Sequence, residues 1–203
     1  FFLFDVPANA DILIDARDGL GASVDVAVFE VGCATQIAVA FGMPLQHFDC
    51  GGVARSLVLN VPGAALSFEP YSIDLAVTEV VDDLLEDNDT CGSGALVALS
   101  SFTTPNLVVT GCDEDYYVSR LQGTGIELQV DLLFAHAQGD VDLELWDLGC
   151  TTLLASSTSL DDNESALYVN NSNPSAAQAV VVRVFMKNGV GHADYALTVC
   201  FAD

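Results

Sequence analysis

Apolar and polar residues alternate along most of the chain, and one alternating stretch occurs twice. Residues 24–38 read VDVAVFEVGCATQIA and residues 141–155 read VDLELWDLGCTTLLA. Val24/Val141, Asp25/Asp142, Gly32/Gly149, Cys33/Cys150, Thr35/Thr152 and Ala38/Ala155 are identical without a gap. Each copy alternates, turns at Gly-Cys and resumes, which predicts a strand, a hairpin and a second strand. Its recurrence predicts two copies of one β domain.

The flanking sequence fits the same reading. Residues 2–6 form a strand ended by Pro7. Ala10, Ile12, Ile14 and Ala16 then alternate with Asp11, Leu13, Asp15 and Arg17 as a half-buried strand. Val24, Val26 and Val28 face a core. The span 41–52 reads as a looser connection carrying His47 and Cys50. Strands at 56–61 and 71–77 complete a first domain, 1–79. An acidic run, 80–91, reads as a linker, and with lead-in strand material at 96–101 and 106–110 it fills 80–112. A second domain, 113–203, repeats the pattern. Ile126, Leu128, Val130, Leu132 and Phe134 share one strand face, and Val180, Val182, Val184 and Met186 share another. The stretch from Tyr195 matches the one from Tyr71. Nothing of helical length has a 3.6-residue period. The expected fold class is all-β, with two tandem antiparallel β-sandwiches.

A length of 203 residues suits two domains of about 100 residues each, and a mean hydropathy of +0.43 argues against disorder. Five Lys and Arg against 29 Asp and Glu give a net charge of −24. That balance excludes nucleic acid as a partner, because no basic surface is available for phosphates. It suits a solubilising surface in a saline or extracellular setting, or carboxylates gathered to bind calcium. No apolar run reaches the roughly 18–20 residues that span a bilayer. Phe1-Phe2-Leu3-Phe4 lacks a basic region and a long apolar core, so the chain reads as a mature or trimmed product. Six cysteines without a CxxC or a Cys/His cluster point to disulfides and an oxidising compartment. Of the fifteen connectivities possible for six cysteines, a nearest-partner scheme joins Cys33 to Cys50, Cys91 to Cys112 and Cys150 to Cys200.

An ordered set of segments in the second half resembles the bacterial pre-peptidase C-terminal domain family. The residues are Glu86-Asp87-Asn88-Asp89-Thr90, Asp113-Glu114-Asp115-Tyr116-Tyr117, the stretch from Gly139 to Asp147, and Leu154-Ala155-Ser156-Ser157. Asn163-Glu164-Ser165, Val181-Val182-Arg183-Val184 and the stretch from Asp194 to Val199 complete it. The first half is similar but degraded. The resemblance implies a jelly-roll-like sandwich on a secreted protein, usually an accessory unit beside a catalytic domain. Some members bind calcium through the acidic linker, and some bind collagen or polysaccharide. Carried onto this chain, the calcium ligands implied are Glu86, Asn88, Asp89, Asp113 and Asp115. Leu84 departs from the pattern where a further acidic residue often stands.

No catalytic constellation is legible. His47, His136 and His192 are isolated, no GxSxG elbow exists, and Ser93 sits in a glycine-flanked linker. The chain therefore reads as a non-enzyme, in one of two roles. In the first it is a secreted structural protein that joins copies of itself into a filament, tube or surface layer stabilised by calcium. The first domain begins at Phe1, in the place of the second domain's tyrosine pair, and so lacks a lead-in strand. Phe1, Phe2, Leu3 and Phe4 would then lie at an open edge for a neighbour to complete. In the alternative it is an accessory module of a larger hydrolase, holding protein or polysaccharide through Trp146, Tyr116, Tyr117 and Phe185.

Overall fold

The computed structural model describes residues 1–62, 70–96, 101–171, 178–189 and 191–202. The strands fall into two compact units, Phe1–Val81 and Asp82–Asp203. Unit 1 contains β1 (Phe2–Val6), β2 (Ala10–Asp18), β3 (Val26–Glu30), β4 (Gln36–Ala40), β5 (Leu45–Asp49), β6 (Arg55–Asn60) and β7 (Tyr71–Glu79). Unit 2 contains β8 (Ala95–Leu96), β9 (Phe102–Thr110), β10 (Asp115–Leu121), β11 (Glu127–Leu133) and β12 (Val141–Asp147). It continues with β13 (Leu153–Ser157), β14 (Glu164–Val169), β15 (Gln178–Met186) and β16 (His192–Ala202). The fold is all-β, and among the described residues no helix is long and apolar enough to cross a membrane.

Each unit is a sandwich of two sheets. In unit 1 the orders are β1-β6-β3-β4 and β5-β2-β7; in unit 2 they are β13-β12-β15-β10-β8 and β14-β11-β16-β9. The period-2 alternation settles which side faces inward. Ile12 and Ile14 are buried while Leu13 between them is exposed. Val26, Val28, Leu57 and Leu59 complete the first core. Leu128, Val130, Leu143, Leu145, Val182, Val184, Leu197 and Val199 build the second.

The span 41–52 is not a loose connection. It holds β5, which pairs with β2 from Ala10↔Asp49 to Ile14↔Leu45 and buries Leu45 and Phe48. Its five residues carry polar Gln46 and His47 in the middle, so pairing with β2, rather than alternation, makes it a strand. Of the strand expected at 96–101, residues 97–100 lie outside the described residues.

The disulfides also differ from the nearest-partner scheme. Cys91 bonds Cys150, while Cys33 and Cys200 carry free, exposed thiols. This rules out the 33–50, 91–112 and 150–200 pairings. The reason is topological: apart from the β3–β4 and β12–β13 hairpins, consecutive strands enter different sheets, so neighbours in sequence are separated in space. The short β8 lies parallel to β10, and Cys91, just ahead of it, reaches the β12–β13 turn.

The strand registers bring the two units into correspondence. Val28 opposes Leu59, which opposes Phe2; Leu145 opposes Val182, which opposes Tyr117. Phe2 thus holds the place of Tyr117. Ile14↔Leu75 and Val130↔Val199 likewise equate Leu75 with Val199 and, at the same spacing, Tyr71 with Tyr195. The units differ at one side. In unit 2, β9 covers the edge of β16 and β8 covers β10; in unit 1, among the described residues, β7 and β1 are themselves edges. Tyr117, Tyr195 and Val199 are 0%, 3% and 0% exposed, but Phe2, Tyr71 and Leu75 are 44%, 41% and 40% exposed. Phe2 and Tyr71 meet edge to face across the sandwich, with ring centroids 6.5 Å apart. Phe1 and Leu3 are exposed as well.

Candidate metal centre

The acidic segment that opens unit 2 folds against the start of β10. Asp83 anchors it: one carboxylate oxygen accepts from the Val108 amide at 3.0 Å, the other from the Leu85 amide at 2.8 Å. The Asn88 carbonyl accepts from the Tyr116 amide at 3.1 Å. These bonds carry Glu86 and Asp89 to Asp113, in the turn before β10, and to Asp115, its first residue. Asn88 and Asp115 are wholly buried.

Ligand atoms of Asp82, Glu86 and Asp113 lie within 4.8 Å of one another, and so do those of Glu86, Asp87 and Asp89. Of the five residues inferred from sequence, Glu86, Asp89 and Asp113 belong to these groups. Asp82 and Asp87 are additions; both stand in the acidic run, where position alone could not rank one carboxylate above another. Asn88 adjoins Glu86: the side-chain amide atom facing it is 3.0 and 3.1 Å from the two carboxylate oxygens. With nitrogen there, the contact is a bidentate hydrogen bond. Asp115 is turned aside, with one oxygen accepting from the Tyr195 hydroxyl at 2.5 Å. The Tyr195 and Tyr117 hydroxyls are also 2.5 Å apart. The other Asp115 oxygen and one Asp113 oxygen are buried without a hydrogen-bond partner.

Burial is the first cause that raises the acid groups here, and carboxylates crowding one another is the second. Glu86 is pushed up to about 8, by desolvation and then by Asp89, Asp82 and Asp113. Asp113 rises to about 7, through desolvation and then Asp82 and Asp89. Asp115 rises to about 9, through desolvation and the charges of Glu86 and Asp113, against the Tyr195 hydrogen bond. Such a cluster holds protons at neutral pH or exchanges them for a hard cation that accepts six to eight oxygens. A cleft of about 310 Å³ opens beside it, lined by Asp89, Thr110, Gly111, Asp113, Glu114 and Gly189, among others.

Replacing Tyr195 with phenylalanine removes the hydroxyl that bridges Asp115 and Tyr117. It is expected to cost unit 2 about 1–3 kcal/mol in chemical denaturation. An unchanged midpoint would show that the bridge contributes nothing.

The aromatic residues inferred from sequence separate into two groups. Tyr117 is in the core. Tyr116, Trp146 and Phe185 are half-buried on the outward face of β10, β12 and β15, around Arg183. Arg183 donates to both Glu114 oxygens, at 2.7 and 2.5 Å, and to Glu144 at 2.8 Å, which holds Glu114 below the usual carboxylate range. Its guanidinium lies 4.1 Å from the Phe185 ring centre. The Trp146 indole donates to Glu144 and the Tyr116 hydroxyl to Glu114. Of the histidines, His47 has its pKa lowered by burial, and the carboxylate beside it, Asp49, is taken by Arg55.

These features define a β-sandwich protein with an acidic oxygen cluster. Among solved structures the chain is similar to the pre-peptidase C-terminal domain of a Bacillus anthracis collagenase. The identity is 17% and the TM-score 0.36, over 51% of this chain and 91% of that one. It is also similar to a carbohydrate-binding module of the β-sandwich superfamily, at 9% identity and a TM-score of 0.27, over 100% of this chain and 97% of that one. No protein-family profile and no curated protein sequence matches it.

Proposed function

We propose that this is a secreted, non-enzymatic structural protein whose copies join by strand addition at the open side of unit 1, with calcium in the acidic cluster of unit 2. Both units are read as sandwiches of the pre-peptidase C-terminal type. One observation carries the assembly reading. The positions that unit 2 covers with its own lead-in segment, Tyr117, Tyr195 and Val199, are left open in unit 1 as Phe2, Tyr71 and Leu75. An unpaired, apolar strand edge is a template for another strand. Addition that uses two different surfaces gives filaments or tubes wherever its rotation does not close a ring. The unpartnered oxygens of Asp113 and Asp115 support the cation. The Cys91–Cys150 disulfide fits an oxidising, extracellular setting.

Electron microscopy of the purified chain, with and without a chelator, tests this reading. Ordered filaments that dissolve on chelation are expected. Filaments that survive chelation remove calcium as the stabiliser, and monodisperse particles in both conditions overturn assembly.

The Arg183 face favours a second reading, a module that holds polysaccharide or protein for a larger hydrolase. Three aromatic side chains and a charged fork share one outward sheet surface, the composition of sugar-binding platforms. Retention of the chain on an insoluble polysaccharide, lost on Trp146→Ala, would favour it.

A further inference from the structure

Corresponding loops of the two units differ in kind. In unit 1 the chain leaves β2, turns through residues 19–25 and enters β3. Val26 pairs with Ala40, so the β4–β5 loop, residues 41–44, lies at the same end of the sandwich. Neither tip carries a charge: residues 19–24 read GLGASV and 41–44 read FGMP, in a chain with 29 Asp and Glu. Leu20, Phe41 and Met43 are 91%, 69% and 59% exposed. In unit 2 the matching connections are 134–140, between β11 and β12, and 158–163, between β13 and β14. They carry His136, Gln138, Asp140, Asp161 and Asp162, so exposed Leu160 stands beside two carboxylates.

The apolar tips of unit 1 stand clear of the sandwich. Gly21 and Gly42 have left-handed backbones, φ 85° and 62°, and beyond their chain neighbours no atom comes within 4 Å of a Cβ placed at either. The backbone around Leu20 is closed on itself. Asp18 accepts from the Leu20 and Ala22 amides through one carboxylate oxygen and from the Gly21 amide through its carbonyl, all at 2.9 Å. Asp25 reaches across to the Gly42 amide, also at 2.9 Å, and so ties the two loops together. Pro44 has no amide to satisfy. The carboxylates flanking the first loop are thus engaged by backbone donors. At its foot, Arg17 and Asp15 form an ion pair of 2.8 Å.

We propose that this end of unit 1 docks on a lipid surface, with Leu20, Phe41 and Met43 entering the boundary between headgroups and acyl chains. A group of exposed apolar side chains marks a protein or a membrane contact, and three features select lipid. The side chains project from two separate glycine turns, which suits a fluid layer that closes around each one. The tips bring no charge towards hydrocarbon, where a charged group is costly. The amides of Leu20, Gly21, Ala22 and Gly42 already have partners, so they leave water without being orphaned. A net charge of −24 repels anionic headgroups, so the surface that fits is zwitterionic. The contact lies on the bilayer and does not span it. It is independent of the assembly reading above.

The test is flotation of the full chain with phosphatidylcholine vesicles on a density gradient, in chelator. Polymers sink in such a gradient, so flotation reads lipid contact whether or not the chain assembles. The chain is expected to rise with the vesicles. Leu20→Ser and Phe41→Ser should each lower its partitioning about tenfold, with circular dichroism unchanged because both positions are exposed, while Leu160→Ser in unit 2 changes nothing. Phe41→Trp should add an emission that brominated acyl chains quench. A chain that stays at the bottom of the gradient overturns the lipid contact, and so do L20S and F41S variants that float like the parent. Flotation with anionic vesicles alone overturns it as well, because charge rather than the apolar tips would then hold the chain.

Discussion

Replacing Val199 by aspartate is expected to unfold unit 2, while the same change at Leu75 leaves unit 1 folded and stops it from joining a neighbour. The two positions correspond in register, opposite Val130 and Ile14, but Val199 is enclosed and Leu75 is 40% exposed. An unpaired carboxylate at an enclosed site costs more than about 4 kcal/mol, a large part of the 5–15 kcal/mol that holds a typical domain together. At Leu75 the carboxylate keeps its water, and the cost to the isolated chain is about 1 kcal/mol. In an assembly it would lie between the sheets beneath the incoming strand, and filaments should be lost. Chemical denaturation of both variants, with microscopy of the second, checks this. Equal destabilisation would mean that the inner face of β7 is not open, and normal filaments from Leu75→Asp would remove β7 as the joining edge.

The second large effect is on pH. Glu86, Asp113 and Asp115 titrate near 8, 7 and 9 in the folded, metal-free chain, against about 4 when unfolded. Between those limits the folded state holds more protons than the unfolded state, so unfolding free energy falls as pH rises. The stability that these three groups contribute without metal is therefore fully present below pH 4, erodes as the pH climbs towards 9 and is gone above it. Each proton held contributes a slope of roughly 1.4 kcal/mol per pH unit. Glu86 and Asp113 keep contact with solvent, which screens their share, so Asp115 dominates. Calcium would take over the place of those protons and flatten the profile. At a hundred times its dissociation constant it adds about 2.7 kcal/mol, and more at pH 8 than at pH 5, where protons compete. Thermal melts across pH in chelator and in calcium give the answer. A flat profile in chelator would deny the crowded carboxylates, and identical profiles in both would deny the cation.

The sheets were readable from sequence wherever alternation is strong, as in β2, β11 and β15, because a period of two decides which side of a strand is buried. β5 was hidden, since five residues with His47 in the middle carry too little pattern and need β2 to become a strand. The duplicated Gly-Cys stretch revealed the repeat, but not that one cysteine of the pair would be bonded and the other free. Disulfide partners are set by which strands the topology brings together, and Cys91 reaches Cys150 only because β8 lies along β10. The acidic cluster was visible as a region, and Glu86, Asp89 and Asp113 of the expected set come together in it. Asp82 was missed because its membership depends on how the segment curls back towards Asp113, which no linear spacing encodes. Asp115 belongs to the tyrosine pair as much as to the cluster, because the start of β10 aims it at Tyr195.

The margin formed by β9 bears on growth. β9 contains Pro105, which has no amide to offer, and Asn106 at φ 60°, where the register with β16 shifts between Tyr195 and Leu197. A proline and a bulge blunt an outer strand against further pairing. β7 has neither, and it runs nine residues in unbroken register with β2. Of these two margins, β7 is the receptive one and β9 the inert one. A polymer that grows by adding a strand to β7 would join unlike surfaces, so its two ends would be chemically distinct.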